Sequence, residues 1–386
     1  MRQFFSAFVV CAAASALVAA PTTVHVTREG ASRVVVSIET AGGKSAYSQS
    51  LQRNLDRTGY FQVGPNGQIR VTGTPGGTVT ATGAGKQVSL SVPVTDDKSA
   101  RMAARQMSDA IVQAYTGKRG FAMDRIAFVN RKGPDNAELY MCYPDGYDIR
   151  QLTSDQRAAV GPRWAPNKTD IYYTGVRQRT PLVYRLDVAS GRRSLLAQFK
   201  GLATGAAVSP DGKSCAIVLS YQGNPELYVL DFATKRVARM TKTLNASEAS
   251  PCWSPDGRQI VYVSDETRHP QIYIVDVATR KSRRLTKMGT ENTNPDWGAD
   301  GTLTWCTKRG GLNYVAVMNP AAGESAARLV TDGGTWEHPS WAADGRHVIA
   351  SRDKALFIVD TDPDGDPHPV QLFRNPGNWM NPAWSR

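Results

Sequence analysis

Residues 250–286 read SPCWSPDGRQIVYVSDETRHPQIYIVDVATRKSRRLT, and four short extended patterns divide that stretch. The first holds Trp253 and runs into the turn Pro255-Asp256-Gly257, a composition that supplies both a fixed φ and a residue tolerant of positive φ. The second, Ile260-Val261-Tyr262-Val263, is β-branched and aromatic, as is the third, Ile272-Tyr273-Ile274-Val275-Asp276. The fourth is basic and closes on Leu285-Thr286.

The same pattern returns on both sides. It reads GPRWAPNKTDIYYTG from Gly161, AAVSPDGKSCAIVLS from Ala206, NPDWGADG from Asn294, HPSWAADGRHVIAS from His338 and NPAWSR from Asn381. The anchors Trp164, Val208, Trp253, Trp297, Trp341 and Trp384 are 44, 45, 44, 44 and 43 residues apart. Four strands in 40–45 residues is the size of one propeller blade. Residues 125–153 supply second, third and fourth strands (Ile126–Val129, Leu139–Tyr143, Arg150–Thr153) without a first, and Asn381–Arg386 supplies a first strand without the rest. Joined, the fragments complete a sixth blade, so the sequence predicts a six-bladed β-propeller over 121–386, closed by its C-terminal strand.

The anchors are expected to pack between blades, where truncation to Ala removes about 3–5 kcal/mol. The chain of 386 residues has a formal charge of +12, with 41% hydrophobic and 21% charged residues, 34 Gly and 22 Pro. That composition suits a turn-rich globular protein and excludes wholesale disorder. Much of the basic excess recurs at Arg192, Arg193, Lys235, Arg236, Arg280, Lys281, Arg283 and Arg284, which reads as charge on outer strands that discourages edge pairing. No nucleic-acid-binding motif accompanies it.

Residues 1–20 read as a secretory signal peptide, with Arg2, an apolar run and Val18-Ala19-Ala20 before Pro21. Residues 21–120 carry no repeat and order themselves as a small α+β domain. Strands are expected at Arg33–Ile38, Tyr60–Val63, Ile69–Thr72, Gly77–Thr82 and Gln87–Val92, and helices at Ser45–Arg57 and Asp97–Tyr115. The fold class is thus mainly β, a propeller behind a small α+β domain.

This order, with Leu55-Asp56-Arg57-Thr58-Gly59-Tyr60-Phe61, Tyr115-Thr116-Gly117-Lys118-Arg119-Gly120-Phe121 and Pro382-Ala383-Trp384-Ser385, resembles the TolB family, the periplasmic propellers of the Tol–Pal system in Gram-negative envelopes. The resemblance implies a non-enzymatic scaffold in the periplasm that supports envelope integrity and cell division. Its partners would be a Pal-like peptidoglycan-associated lipoprotein on one propeller face and a TolA-like inner-membrane protein at the processed N-terminus. Positions matching the family's face loops are Glu248, Ala249 and Ser250; Asn292, Thr293 and Asn294; Trp336, Glu337 and His338; and Arg268 with His269. Thr23, Val24, His25 and Val26 occupy the place of the N-terminal partner strand, or else form the first edge strand of the small domain. Trp336 and Trp379, each five residues before an anchor, read either as exposed contact aromatics or as packing against the neighbouring loop.

There is no G-x-S-x-G and no hydrolase domain after the ring. Only five histidines occur, whereas a metal site in the funnel would want several on one face, and neither a metal nor a cofactor is expected. A glycan- or peptide-cleaving propeller would use His269, His338 and Glu337; a third reading has the basic outer strands holding an anionic envelope polymer. Asp362-Pro363-Asp364-Gly365-Asp366 resembles a calcium loop but lacks its Gly and Glu positions and reads as a solvated turn. Cys142, Cys215, Cys252 and Cys306 read as small apolar fillers rather than a disulfide framework, and the chain as a monomer.

Overall fold

The computed structural model describes residues 33–196, 199–364, 368–374 and 377–386; the expected signal peptide and Thr23–Val26 lie outside the described residues. The first part of the chain forms a five-stranded sheet from β1 (Val34–Thr40), β2 (Phe61–Val63), β3 (Ile69–Gly73), β4 (Thr78–Gly83) and β5 (Lys86–Ser91), in the order β2-β1-β3-β4-β5. Strand β1 runs parallel to both its neighbours, and the meander β3-β4-β5 is antiparallel. Helix α1 (Ala46–Arg57) starts at Ser45, whose hydroxyl accepts the Ser48 amide at 3.3 Å while Ser48 Oγ accepts the Ser45 amide. Helix α2 (Asp97–Thr116) is capped the same way by Asp96 and Ser99 and ends at Gly117 in the left-handed region. Leu51, Leu55, Met107, Ile111 and Val112 line one side of the two helices at helical spacing, and this stripe closes over Val36, Ile69 and Val71 of the sheet.

From Ile126 onward the chain is a ring of six four-stranded antiparallel blades. The closing blade is composite, as expected: residues 379–384 pair with 126–130, setting Trp384 opposite Ile126 and Met380 opposite Val129. First strands face the central channel and fourth strands lie outermost. Arg193, Arg283 and Arg284 are on those outer strands, whereas Arg192, Lys235, Arg236, Arg280 and Lys281 fall in the turns that precede them.

Two repeat features gain a physical meaning. In the Trp253 blade, Ser254 Oγ donates to Asp256 at 2.6 Å, Asp256 accepts the Arg258 amide, and Gly257 turns at φ 70°, so each residue of the turn has a task. In four of the six blades a Thr just after the fourth strand reaches back to the third: Thr153, Thr241, Thr286 and Thr331 accept the amides of Leu139, Leu227, Ile272 and Val315 at 2.9–3.0 Å. Thr153, Thr241 and Thr286 also donate to Glu138, Glu226 and Gln271 at the starts of the third strands. The Leu-Thr repeat thus satisfies buried polar groups where the ladder of the short fourth strand ends.

The α+β part is fastened to the ring through Asp145, which is fully buried. Arg105, also fully buried, grips it with two hydrogen bonds of 2.8 and 3.0 Å, Ser50 donates to it at 2.6 Å, and the Arg105 guanidinium stacks 3.8 Å over Tyr143. Arg57 donates to the carbonyls of Pro144 and, at 3.1 Å, Leu372. Among the described residues no helix is long and apolar enough to cross a membrane.

Candidate functional site

Strand direction divides the ring's loops. Chains entering first strands and those joining second to third strands open on one face; the anchor turns and the third-to-fourth loops open on the other, where Asp145 holds the α+β part. The first face is therefore left uncovered by the α+β part.

Every first strand reaches that face through a β-bulge, where its register against the second strand shifts. Within each bulge one residue takes a left-handed backbone: Gly161 (φ 60°), Gly205 (62°), Ser250 (49°), Asn294 (52°), His338 (52°) and Asn381 (48°). Four of the six carry a Cβ, at a conformational cost of about 1 kcal/mol or more each. The next residue is Pro162, Ala206, Pro251, Pro295, Pro339 or Pro382. Proline has no N–H for the bulge to leave unpaired, which accounts for the x-Pro-x-Trp signature. All of these residues except Pro295 line a mouth of about 110 Å³.

One step deeper stand Arg163, Ala207, Cys252, Asp296, Ser340 and Ala383. Three of them bind the next blade: the amides of Trp297, Trp341 and Trp384 donate to Cys252 Sγ (3.3 Å), Asp296 Oδ2 (2.8 Å) and Ser340 Oγ (3.1 Å). The Trp253 and Trp164 indoles donate to the carbonyls of Ala207 and Ala383 in the preceding blades. Asp296 also spans the channel. It accepts Arg163 Nη1 at 2.7 Å and both Arg386 nitrogens at 2.9 and 3.0 Å. Burial pushes its carboxyl up, but the guanidiniums of Arg386 and Arg163 and the Trp341 amide outweigh that and hold it below the usual carboxylate range. This ladder separates the mouth from a cavity of about 250 Å³ on the anchor side.

The residues singled out from the sequence divide by exposure. Ala249, Arg268, His269 and Glu337 are exposed on the open face, and Ser250, Thr293, Asn294 and His338 are half-buried at its mouth. His338 lines the mouth with 34% of its side chain open, yet it is enclosed by protein; burial and then Arg163 lower it to about 4, so it is neutral at pH 7. Its imidazole lies 3.9 Å from Glu337. His269 and His338 come from different blades, and among the described residues no three His, Cys, Asp or Glu side chains converge as metal ligands.

Other positions are turned inward. Trp336 is fully buried, its indole donating to the Asp332 carbonyl and its ring packed by Phe357 and Arg352, so it is a packing residue and not an exposed aromatic. Trp379 is half-buried against Phe128, Tyr140 and Phe373. Asn292 is buried, donating to Gln271 and the Met288 carbonyl and accepting the Trp305 indole. Glu248 is buried beside Glu226, and burial, with that second carboxylate, raises it to about 8. The side chains of Asn292, Glu248 and Trp336 shape the face from beneath. Gly365 and Asp366 of the calcium-like loop lie outside the described residues. All four cysteines there are free and buried, and Cys252, against Asp296, does more than fill space.

Missing from the sequence reading were Arg163, Asp296 and Arg386. The signal was present: aligned on the anchors, the preceding residue is Arg, Ala, Cys, Asp, Ser and Ala around the ring, and the single acid and single base stand out.

Comparison with known proteins gives one answer. The profile of the TolB beta propeller domain family matches residues 112–386. A curated Tol-Pal system protein TolB from Gluconobacter oxydans (strain 621H) is 34% identical over 275 residues, which is 70% of this chain and 60% of that protein. The chain thus spans about three fifths of the length of that relative. The crystal structure of TolB from Acinetobacter baumannii superposes with a TM-score of 0.80 at 26% identity, over 93% of this chain and 98% of that one. A nidogen/laminin complex structure, at 10% identity and TM-score 0.55 over 68% of this chain and 98% of that chain, shares the fold alone.

Proposed function

The chain belongs to the TolB beta propeller family, and from that membership we propose that it is a non-catalytic, periplasmic interaction scaffold of the Tol–Pal type. Its open propeller face docks a Pal-like peptidoglycan-associated lipoprotein, and its N-terminal segment, Thr23–Val26, engages a TolA-like inner-membrane protein. The assembly serves outer-membrane integrity during cell division. The observation that carries this reading is the ring of left-handed bulges on the face opposite the α+β part, where Ser250, Asn294, His338 and Asn381 hold strained backbone. Strain of this kind persists where the surrounding fold fixes it, and it presents backbone and side chains to a partner without further ordering cost. Arg268, His269, Thr293 and Glu337 form the polar rim, with the small Ala249 exposed among them; Trp336, Asn292 and Glu248 support it from below, and Trp379 shapes the mouth beside Asn381.

The test is equilibrium binding of the mature protein to the lipoprotein domain encoded by the same organism. Glu337→Lys and Arg268→Glu should each weaken binding about tenfold, the scale of losing a charge-assisted contact. Absence of binding refutes the partner assignment. Tight binding indifferent to both reversals refutes the face.

A further inference from the structure

On the opposite face, a recess of about 210 Å³ opens between α2 and the ring. Lys98, in the first turn of α2, lines one side; Arg125, which leads into the ring, and Arg150, on the outer strand Arg150–Gln151, line the other. Among the described residues none of the three cations has a carboxylate within ion-pair distance, although Asp96 and Asp124 act on Lys98 and Arg125 from further off. Arg125 donates to the Lys168 carbonyl and stacks 4.8 Å over Trp164; Arg150 donates to the Val188 carbonyl and leans on the Met141 sulfur at 3.7 Å. The one acid in the wall, Asp148, is already committed to Arg101 and Arg105 at 2.8 Å each. Burial lowers the Arg125 guanidinium from its ordinary value and the charge of Arg150 adds to that, against opposing effects of Tyr143 and Asp124 smaller than that of burial. Three like charges therefore converge on one open recess, an arrangement that costs free energy until an anion enters.

The geometry points to a site for a phosphate-class dianion, held at the joint of the two parts of the chain by Lys98, Arg125 and Arg150. A single carboxylate is matched by one guanidinium fork. Three separate donor groups around a recess suit a tetrahedral group with several charged oxygens, and a volume of about 210 Å³ leaves room for a substituent. Because Lys98 belongs to α2 and the two arginines to the ring, the anion would tie the parts together beside the Arg105–Asp145 contact. This site is independent of the partner face.

Free phosphate and a lipid headgroup share this chemistry, so two probes are needed. The mature protein in phosphate-free, low-salt buffer is titrated calorimetrically with inorganic pyrophosphate, and in parallel sedimented with phosphatidylcholine vesicles containing phosphatidic acid. Lys98 and Arg150 are exposed, so Lys98→Gln and Arg150→Gln should fold normally, as checked by far-ultraviolet circular dichroism, which reports both parts of the chain. Saturable pyrophosphate binding, weakened about tenfold by each substitution and unchanged by Arg258→Gln, supports a soluble phosphate ligand. Binding to the vesicles but not to pyrophosphate, lost in the same two variants, supports a headgroup. Binding of either probe that persists in both variants marks an adventitious ion only and overturns the assignment, as does binding of neither.

Discussion

Replacing Asp296 with Asn tests the channel ladder with almost no change of shape. The Asn side-chain oxygen can still accept the Trp341 amide, so the substitution isolates the charge. In the native chain a carboxylate with 1% of its side chain exposed is shared by Arg163 and Arg386, whose side chains are 25% and 28% exposed. Removing one partner of a buried pair costs about 3–5 kcal/mol because the remaining charge is stranded. Here the stranded guanidiniums keep some water, which places the loss near the lower end, about 3 kcal/mol. All eight tryptophans fall between positions 164 and 384, so intrinsic fluorescence reports the ring alone. With a urea slope of about 3 kcal/mol/M, the fluorescence midpoint should fall by about 1 M. The pH dependence supplies a second readout. Asp296 is held below its unfolded value of about 3.9, so its contribution is fully present above that pH and lost as pH falls through the folded value. Asn does not titrate, so the gap between native and variant proteins should be constant from pH 8 to 5 and close at lower pH. A gap below about 0.5 kcal/mol at pH 7, the scale of ordinary surface substitutions, refutes the reasoning. So does a gap that fails to narrow in acid.

Two further outcomes follow from the same physics. Asp145→Asn should loosen the α+β part by about 3–5 kcal/mol while leaving the ring's tryptophan transition in place, read as faster proteolysis near Thr116–Phe121; unchanged proteolysis counts against Asp145 as the fastening point. Glu248, raised to about 8 by burial and by Glu226, binds its proton more tightly folded than unfolded, so it weakens the fold progressively between about pH 4.3 and 8. Glu248→Gln should therefore raise the urea midpoint at pH 8 and leave it unchanged at pH 4; equal effects at both pH values refute the buried carboxylate pair.

The ring was readable because each blade repeats one solution to one problem, and six copies of an anchor and turn reinforce each other. The closing pair of Trp384 with Ile126 followed from counting strands, and both helices from apolar residues at helical spacing. The ladder of Arg163, Asp296 and Arg386 was not read, since it joins two blades and the tail through the channel, where sequence distance carries no information. Only a column-by-column reading of the repeats isolates the charged pair. Trp336 and Asn292 show the opposite difficulty. A loop position ahead of an anchor suggests exposure, yet Phe357 and Arg352 roof the first and Gln271 and Trp305 clasp the second. Burial of a loop side chain depends on what the adjoining strands place under it, which periodicity does not encode.

The clasp between residues 379–384 and 126–130 also sets a timetable. Translation proceeds from the N-terminus, so the strand that waits at Ile126 stays without its partner until nearly all later blades have emerged. During that interval the outer face of the first blade and the most recent blade are both uncovered and able to associate with other chains. A cell making this protein must therefore shield a half-built circle, and a chain clipped just before Trp379 would keep that vulnerability for good.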